Sequence, residues 1–409
     1  MNQNLTIVLT STQNYVWSSM QEIIPHIVRC WEQTKDSSHQ VEVIDVDTTP
    51  LKSIAKQCWQ AQNIVITCFN FQIASTLRVL KKDMGIPARL IFHLHNQATI
   101  ALWPLQEFGL LPLFTGNDLF ISSSTRDWDS LKQSVDSPKG GVVLFSLSEQ
   151  ELNTETHAAS EENELYFAGR ISRQKNLHSI IEALHILNQK KISIKFHIFG
   201  DEDFLGSPNM GVKDPNYKEE LVHLVQKYNL HDSVIFHGKV DRTELYQSKL
   251  KTRKIFISPS AHSDENFGIA AFRSLCRGER LILSDWGGHT DYQQYFPSQI
   301  EYVDIIPHNE NGLTCKAEQV ANAIMKTLTK NVSPFPIPSQ YFENNISKQY
   351  FQLLSTPTEA NSPLKLTSLF NKIIERRVQF KTHQTKIFHD YHDPLAQELF
   401  KAYGLKQQV

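Results

Sequence analysis

An alternation that runs twice along the chain constrains its fold more than any other feature. Short apolar runs at Leu5–Thr10, Val41–Val46, Asn63–Cys68, Arg89–His95, Asp118–Ser123 and Gly141–Phe145 are separated by helix-length stretches such as Met20–Thr34 and Ile73–Lys82. Within Met20–Thr34, Ile23, Ile24, Ile27, Val28 and Trp31 share one helical face. Near-continuous apolar strands alternating with helices predict a parallel sheet covered on both faces. The pattern stops at Ser148–Asn163, which is polar, acidic and aperiodic. It resumes with strands expected at Leu165–Ala168, Ile194–Phe199, Val234–His237, Lys254–Ser258, Arg280–Ser284 and Ile300–Val303. The helices expected between them are Leu177–Gln189, Tyr217–Tyr228, Glu244–Leu250, Gly268–Cys276 and Glu318–Thr329.

At 409 residues the chain exceeds one ordinary core, since domains usually hold about 100–200 residues. The expected organisation is an α/β domain over residues 1–147, a linker over 148–163, a second α/β domain over 164–330 and a tail over 331–409. Both α/β domains are expected to be Rossmann-like and doubly wound, facing each other across a cleft. Ligands of such sheets bind at the carboxyl ends of the strands. The tail begins with Pro334, Pro336 and Pro338, then places Leu366, Leu369, Phe370, Ile373, Ile374 and Val378 at helical spacing. It reads as a helix packed back on the body. The rival reading is a membrane-surface helix aided by Lys372, Arg376, Arg377 and Lys381.

Composition removes several function classes. A formal net charge of -2 gives no global field for nucleic acid or anionic lipid. The five cysteines, an odd number without metal-ligand spacing, read as reduced thiols. The first residues carry no basic region before their short apolar run, and no run approaches the ~20 residues a membrane span needs. The expected location is the cytoplasm, with peripheral membrane contact left open by the tail.

Two loops carry candidate chemistry. The first is Gly169-Arg170 with Lys175-Asn176, between an expected strand and helix. Two cations five positions apart can converge on a diphosphate beside a helix N-terminus, or they are simply a solvated basic loop. The second is the segment from Ser258 to Cys276, where Glu265-Asn266-Phe267-Gly268 opens a helix. Free N–H groups there suit phosphate and sugar oxygens, and Glu265 can accept bonds from sugar hydroxyls. The bland alternative makes Glu265 a first-turn acid opposite the helix dipole.

The series GR…KN, HIFGDED, VIFHGKV, SPSAHSDENFGIAAFRSLCRGE and SDWGGHTDY resembles, in order and spacing, the donor domain of retaining GT-B glycosyltransferases, family 4 in particular. The resemblance covers Leu165 to about Leu313. It is weak in the first half, where RLIFHLHNQA and DLFISSSTRDWDSL carry it. It implies that Arg170 and Lys175 grip the donor diphosphate, with Gly169 and Gly200 in the adjoining strand-end loops. It implies that Glu265 contacts the transferred sugar and that Asn266, Phe267, Gly268 and Ile269 lie beneath sugar and phosphate. Gly238, Lys239 and Val240 match the loop beside the base. His95 matches a histidine near the reacting sugar, although a lone strand-end histidine is commonly structural. Arg170, Lys175, Glu265 and His95 are thus the catalytic candidates.

Two departures stand out. Arg273 occupies the position of a second glutamate that in the family holds the ribose. An arginine offers only donors, so it bonds the ribose oxygens, turns to a phosphate, or pairs with an acid such as Asp264. The first strand also leads into Ser11-Thr12-Gln13-Asn14, without the glycine pair of many relatives and without G-x-G-x-x-G, which argues against a dinucleotide oxidoreductase. The implied activity is retaining, hexosyltransferase-type sugar transfer from a nucleoside-diphosphate sugar, in glycan or glycoconjugate synthesis. No metal or other cofactor is expected, since no Asp-x-Asp is placed to bridge one to a diphosphate. The acceptor stays open among glycan, lipid-linked and protein, and no nucleic-acid partner is expected. The alternative function is a nucleotide-sugar-binding relative of little activity that acts as a regulatory or partner subunit.

Overall fold

The computed structural model describes residues 4–13, 19–95, 105–152, 164–203, 216–250, 252, 254–261, 265–308, 312–330, 335–358, 362–383 and 392–406. The chain divides into two units. Unit 1 comprises Met1–Ser148 and Pro338–Ile374; unit 2 comprises Glu149–Ile337 and Glu375–Val409.

Unit 1 is built on six parallel strands, β1 (Asn4–Thr10), β2 (His39–Asp45), β3 (Asn63–Ile66), β4 (Arg89–His93), β5 (Leu119–Ser122) and β6 (Lys139–Val142), in the order β2-β1-β3-β4-β5-β6. This is the flavodoxin-like variant of the doubly wound plan expected for this half, and its switch point lies between β1 and β3. Val8, Val65, Ile91 and Leu119 form a core with Ile27 and Trp31 of the helix Met20–Glu32. Ile346 and Tyr350 complete that core from Glu343–Leu354, a tail helix that the sequence reading did not include. Trp31 and Tyr350 stack at 4.6 Å, and the Arg89 guanidinium donates to the carbonyls of Leu354 and Thr356 at the helix end, at 3.0 and 2.9 Å. The expected helix around Leu366–Val378 runs from Ser368 to His383 and buries Phe370 and Ile373. Leu366 lies ahead of it, bridged to Val135.

Unit 2 repeats the plan with β7 (Glu164–Ala168), β8 (Lys195–Phe199), β9 (Val234–Gly238), β10 (Ile255–Ser258), β11 (Arg280–Ser284) and β12 (Ile300–Val303). The order β12-β11-β10-β7-β8-β9 is the Rossmann order. The helices Leu177–Gln189, Tyr217–Lys227, Ile269–Cys276 and Ala317–Thr329 lie within a residue or so of their expected bounds. The expected helix Glu244–Leu250 is instead a short turn, Arg242–Glu244, continued by a π-helical turn, Leu245–Lys249. An unexpected hairpin pairs Ile306–His308 with Gly312–Thr314. The expected linker opens on a helical turn, Glu149–Leu152, and the rest of it lies outside the described residues. A last helix, Pro394–Lys401, is capped by Asp393, whose Oδ1 accepts from Leu395 N–H at 2.9 Å, with proline at its first position. All five cysteines are buried and unbridged. No described helix is long and apolar enough to cross a membrane.

The sixth strand of unit 1 starts two residues earlier than the apolar run suggests, because Gly140 permits close pairing. Its φ is +122°, and a Cβ there would sit 1.9 Å from the Phe120 carbonyl oxygen. Gly140→Ala is therefore expected to cost about 2 kcal/mol or more and to lower the thermal midpoint. An unchanged melting curve by circular dichroism would refute this account of β6.

Candidate active site

In unit 2 the carboxyl ends of β7, β8 and β9 are laced together by backbone. Gly169 N–H donates to Phe199 O at 2.9 Å, and Gly200 N–H to Gly238 O at 2.8 Å. The approach is too close for side chains: a Cβ on Gly200, at φ +149°, would lie 1.8 Å from Gly169 O. Gly238 is left-handed at φ +70°. Ile171 N–H then donates to Asp201 O, and Asp203 N–H to Ile171 O. Arg170 leaves this knot and sets Nη1 2.5 Å from Asp203 Oδ2. Its side chain keeps 34% exposure while that of Asp203 is buried. Lys239 is exposed beyond β9, with Val240 half-buried beside it.

The loops after β7 and β10 are stitched in the same way. Asn176, left-handed at φ 54°, donates through Nδ2 to Pro259 O at 2.9 Å, and Ala261 N–H donates to Gln174 O at 2.7 Å. This brings Lys175, in the turn Arg173–Lys175, onto Glu265: Nζ lies 2.5 Å from Oε2 and 3.2 Å from Ser260 Oγ. His289 Nε2 stands 3.5 Å from the other carboxylate oxygen, Oε1. Behind it, His289 Nδ1 meets Ser284 Oγ at 3.2 Å, and Ser284 Oγ donates to Ser260 O at 2.5 Å. Burial alone would raise the Glu265 pKa. Lys175 and His289 outweigh it and hold the carboxyl well below its ordinary range. The helix starts at Ile269, with Gly268 as its cap and no acid in its first turn. Glu265 is therefore not a first-turn helix acid but one arm of a Lys175–Glu265–His289 cluster.

Glycine is required where the segments of this cluster cross. At Gly268, φ +75°, a Cβ would sit 2.7 Å from His289 Cδ2. Gly288 N–H donates to Glu265 O at 2.7 Å, and a Cβ on Gly288 would fall 1.9 Å from Asn266 O. Phe267 turns its ring inward, 5.2 Å from Phe272 and 5.8 Å from Tyr292, so this residue presents backbone to the site. Tyr292 Oη donates to Phe267 O at 2.5 Å. His289, Ser260, Ser284 and Tyr292 received no role from sequence, although the glycine pair ahead of His289 marks a close approach.

Two further candidates have other partners. Arg273 is buried and donates through Nε to Glu151 Oε1 at 2.7 Å, so its acid comes from the turn Glu149–Leu152. Asp264, the partner considered from sequence, lies outside the described residues. His95 belongs to unit 1, where Nε2 donates to Thr67 O at 2.6 Å beside the switch point of that sheet. Burial lowers the His95 pKa, only partly opposed by this bond, so the neutral ring carries its proton on Nε2. Among the described residues no group of three or more His, Cys, Asp or Glu is placed to hold a metal ion.

Residues 148–296 match the family model described as glycosyl transferases group 1. No curated protein matches the chain. Among solved structures it is similar to Alr3699/HepE of Anabaena in complex with UDP, at 13% identity over 87% of this chain and 100% of that one, with a TM-score of 0.58. The same protein in complex with UDP and glucose gives 16% identity over 86% and 99%, with a TM-score of 0.56. A glycosyltransferase of Rickettsia africae gives 13% identity over 87% and 100%, with a TM-score of 0.55. The architecture is thus that of GT-B glycosyltransferases.

The low Glu265 pKa fixes the sign of a pH effect. A carboxyl depressed in the folded state contributes stability that is full above its unfolded value and lost as pH falls through its folded value. Glu265→Gln should therefore destabilise by about 3 kcal/mol near pH 7, because Lys175 loses its buried partner. In urea titrations at about pH 6 and about pH 3.5, the gap between the two proteins should narrow at the lower pH. A gap that widens would contradict the pairing.

Proposed function

We propose that this glycosyltransferase takes its sugar from a nucleoside-diphosphate sugar held by unit 2 and transfers it to an acceptor hydroxyl with retention of configuration. The observation that carries the reading is the Lys175–Glu265–His289 cluster, with Arg170 at the start of the loop that carries Lys175, at the carboxyl edge of a Rossmann-ordered sheet. In the transfer, the bond from the anomeric carbon to the diphosphate oxygen breaks. A bond to the acceptor oxygen forms on the same face, and the acceptor proton passes to the leaving phosphate. Charge accumulates on the diphosphate while the sugar becomes oxocarbenium-like. Arg170 and Lys175 meet the negative charge with preorganised donors. A guanidinium with five N–H groups, or an ammonium with three, can hold its carboxylate and a phosphate together. Glu265, kept ionised, serves only as an acceptor and suits sugar hydroxyls. In this scheme the leaving phosphate does the work of a base, unlike the two placed carboxylates of glycoside hydrolysis.

UDP-glucose is the first donor to test, because the similar HepE protein is seen with UDP and glucose. In a thermal-shift panel of UDP-, GDP- and ADP-sugars, the true donor raises the melting temperature by mass action. With that donor, Arg170→Ala and Lys175→Ala should each lower kcat by about 10²–10³. Wild-type turnover in both variants would remove the donor-site assignment. The second reading, a donor-binding subunit of little activity, draws on the Arg273–Glu151 pair, which occupies a position the resemblance gives to ribose binding. Donor binding without turnover by the unmodified protein would select it.

The reaction is also expected to proceed without divalent metal. The acid nearest Arg170, Asp203, is already neutralised by it, as Glu265 is by Lys175. Activity should survive EDTA. Its loss, with recovery on adding Mg²⁺ or Mn²⁺, would require a metal bridge to the diphosphate instead.

A further inference from the structure

The short loop after β11 touches both Glu265 and the tail of the chain. Gly288 N–H holds the Glu265 carbonyl, and His289 reaches the Glu265 carboxylate. The adjacent Gly287 N–H donates to Tyr403 O at 2.9 Å. No side chain fits at Gly287: a Cβ there would lie 2.2 Å from Glu265 O and 2.9 Å from Tyr403 Cε1. Gly404, at φ +120°, passes so close that a Cβ would sit 2.4 Å from Asp285 O. Lys406 completes the contact, with Nζ 2.6 Å from Asp285 Oδ2 and its N–H donating to Ile305 O at 2.9 Å. Trp286, fully buried, packs its ring 5.3 Å from Tyr403 and 5.8 Å from Phe400 of the helix Pro394–Lys401.

We infer that the tail segment Tyr403–Lys406 is a positioning element of the sugar-transfer site. It presses the Asp285–His289 loop onto Glu265 and so sets the Glu265–His289 arrangement from behind. The Gly287 N–H is held by Tyr403 O, and the Cβ side of Gly287 is closed by Glu265 O and the Tyr403 ring, so the loop cannot shift against Glu265 without moving Tyr403. Without Tyr403 and Gly404 the loop loses one face of its packing and the partner of the Gly287 N–H, and His289 is no longer held to one distance from the carboxylate. Interiors transmit such displacements because they are close-packed. These tail residues act on the loop through the Tyr403 carbonyl and ring and the Lys406 ammonium, and on Glu265 only through that loop. The link to rate rests on the reading of Glu265 as a sugar contact, whereas the link to His289 does not.

The test uses the full chain with two tail variants, Gly404→Ala and Lys406→Ala, and a control, Val320→Ala, which removes buried volume from the helix Ala317–Thr329. Two quantities are read: the ring signal of His289 in the histidine ¹H–¹³C spectrum, assigned with His289→Gln, and kcat and KM for transfer from UDP-glucose. Gly404→Ala should shift the His289 signal and lower kcat about tenfold while KM stays within about twofold. Lys406→Ala removes a half-exposed pair, leaves folding intact, and should move both readouts in the same direction by less. Val320→Ala should lower the melting temperature and move neither. A His289 signal unmoved in both tail variants, or a shifted signal with kcat unchanged, overturns the inference. If the unmodified protein transfers no sugar from any nucleotide, the function reading fails instead. The His289 signal then still decides the positioning: a shift sustains it and no shift overturns it.

Discussion

Lys175 and Glu265 meet where two loops converge that leave opposite halves of one sheet. The loop after β7 carries the lysine and leads toward β8; the loop after β10 carries the glutamate and leads toward β11. In the Rossmann order β7 and β10 are neighbours whose connections run to opposite sides, so a crevice at their carboxyl ends is inherent in the topology. An ion pair placed there is costly to desolvate and stabilises little by itself. Its effect is positional. Ser260, Ser284 and His289 frame it with bonds, and the glutamate is held ionised by the Lys175 ammonium and by His289 against the cost of burial.

Around that pair, backbone sets the geometry more than side chains do. Gly169 and Gly200, and then Gly268, Gly287 and Gly288, are points where one strand end or loop touches another at distances that exclude a Cβ or crowd it. Each contact removes a degree of freedom from a loop that would otherwise wander. Loops that must present charge to a substrate without reorganising gain from this rigidity, because preorganised donors need not be moved during reaction. Phe267 shows the same division: its ring is packed in the core while its carbonyl is fixed by Tyr292.

The tail is divided between the two units. The helix Glu343–Leu354 completes the core of unit 1 against Trp31, and the helix Pro394–Lys401 with Tyr403 supports the β11 loop of unit 2. The first was legible in principle, since Ile346, Tyr350 and Leu353 recur near helical spacing, but its neighbours Asn344, Asn345, Ser347 and Gln349 dilute the stripe. It is helical because Trp31 and Val65 offer a surface for it, which is tertiary packing overriding weak local preference.

What the sequence determined by itself is the periodic part of this protein. Twelve strands and their main helices follow from apolar runs and helical stripes, because burial on both faces of a parallel sheet imposes those patterns locally. Gly169, Arg170, Lys175 and Glu265 were likewise recognisable as candidates, from their places in loops that follow strands. Tertiary structure alone decided which of them meet. His289 lies 24 residues beyond Glu265, and its role depends on β10 and β11 being adjacent in the sheet. Arg273 found Glu151, 122 positions earlier, an acid that no local spacing suggested. Unit 1 took the flavodoxin-like order because β1 pairs with both β2 and β3, and strand order leaves no periodic trace in the chain. Pairings between residues distant in sequence are set by the packing of whole sheets, so no local pattern encodes them.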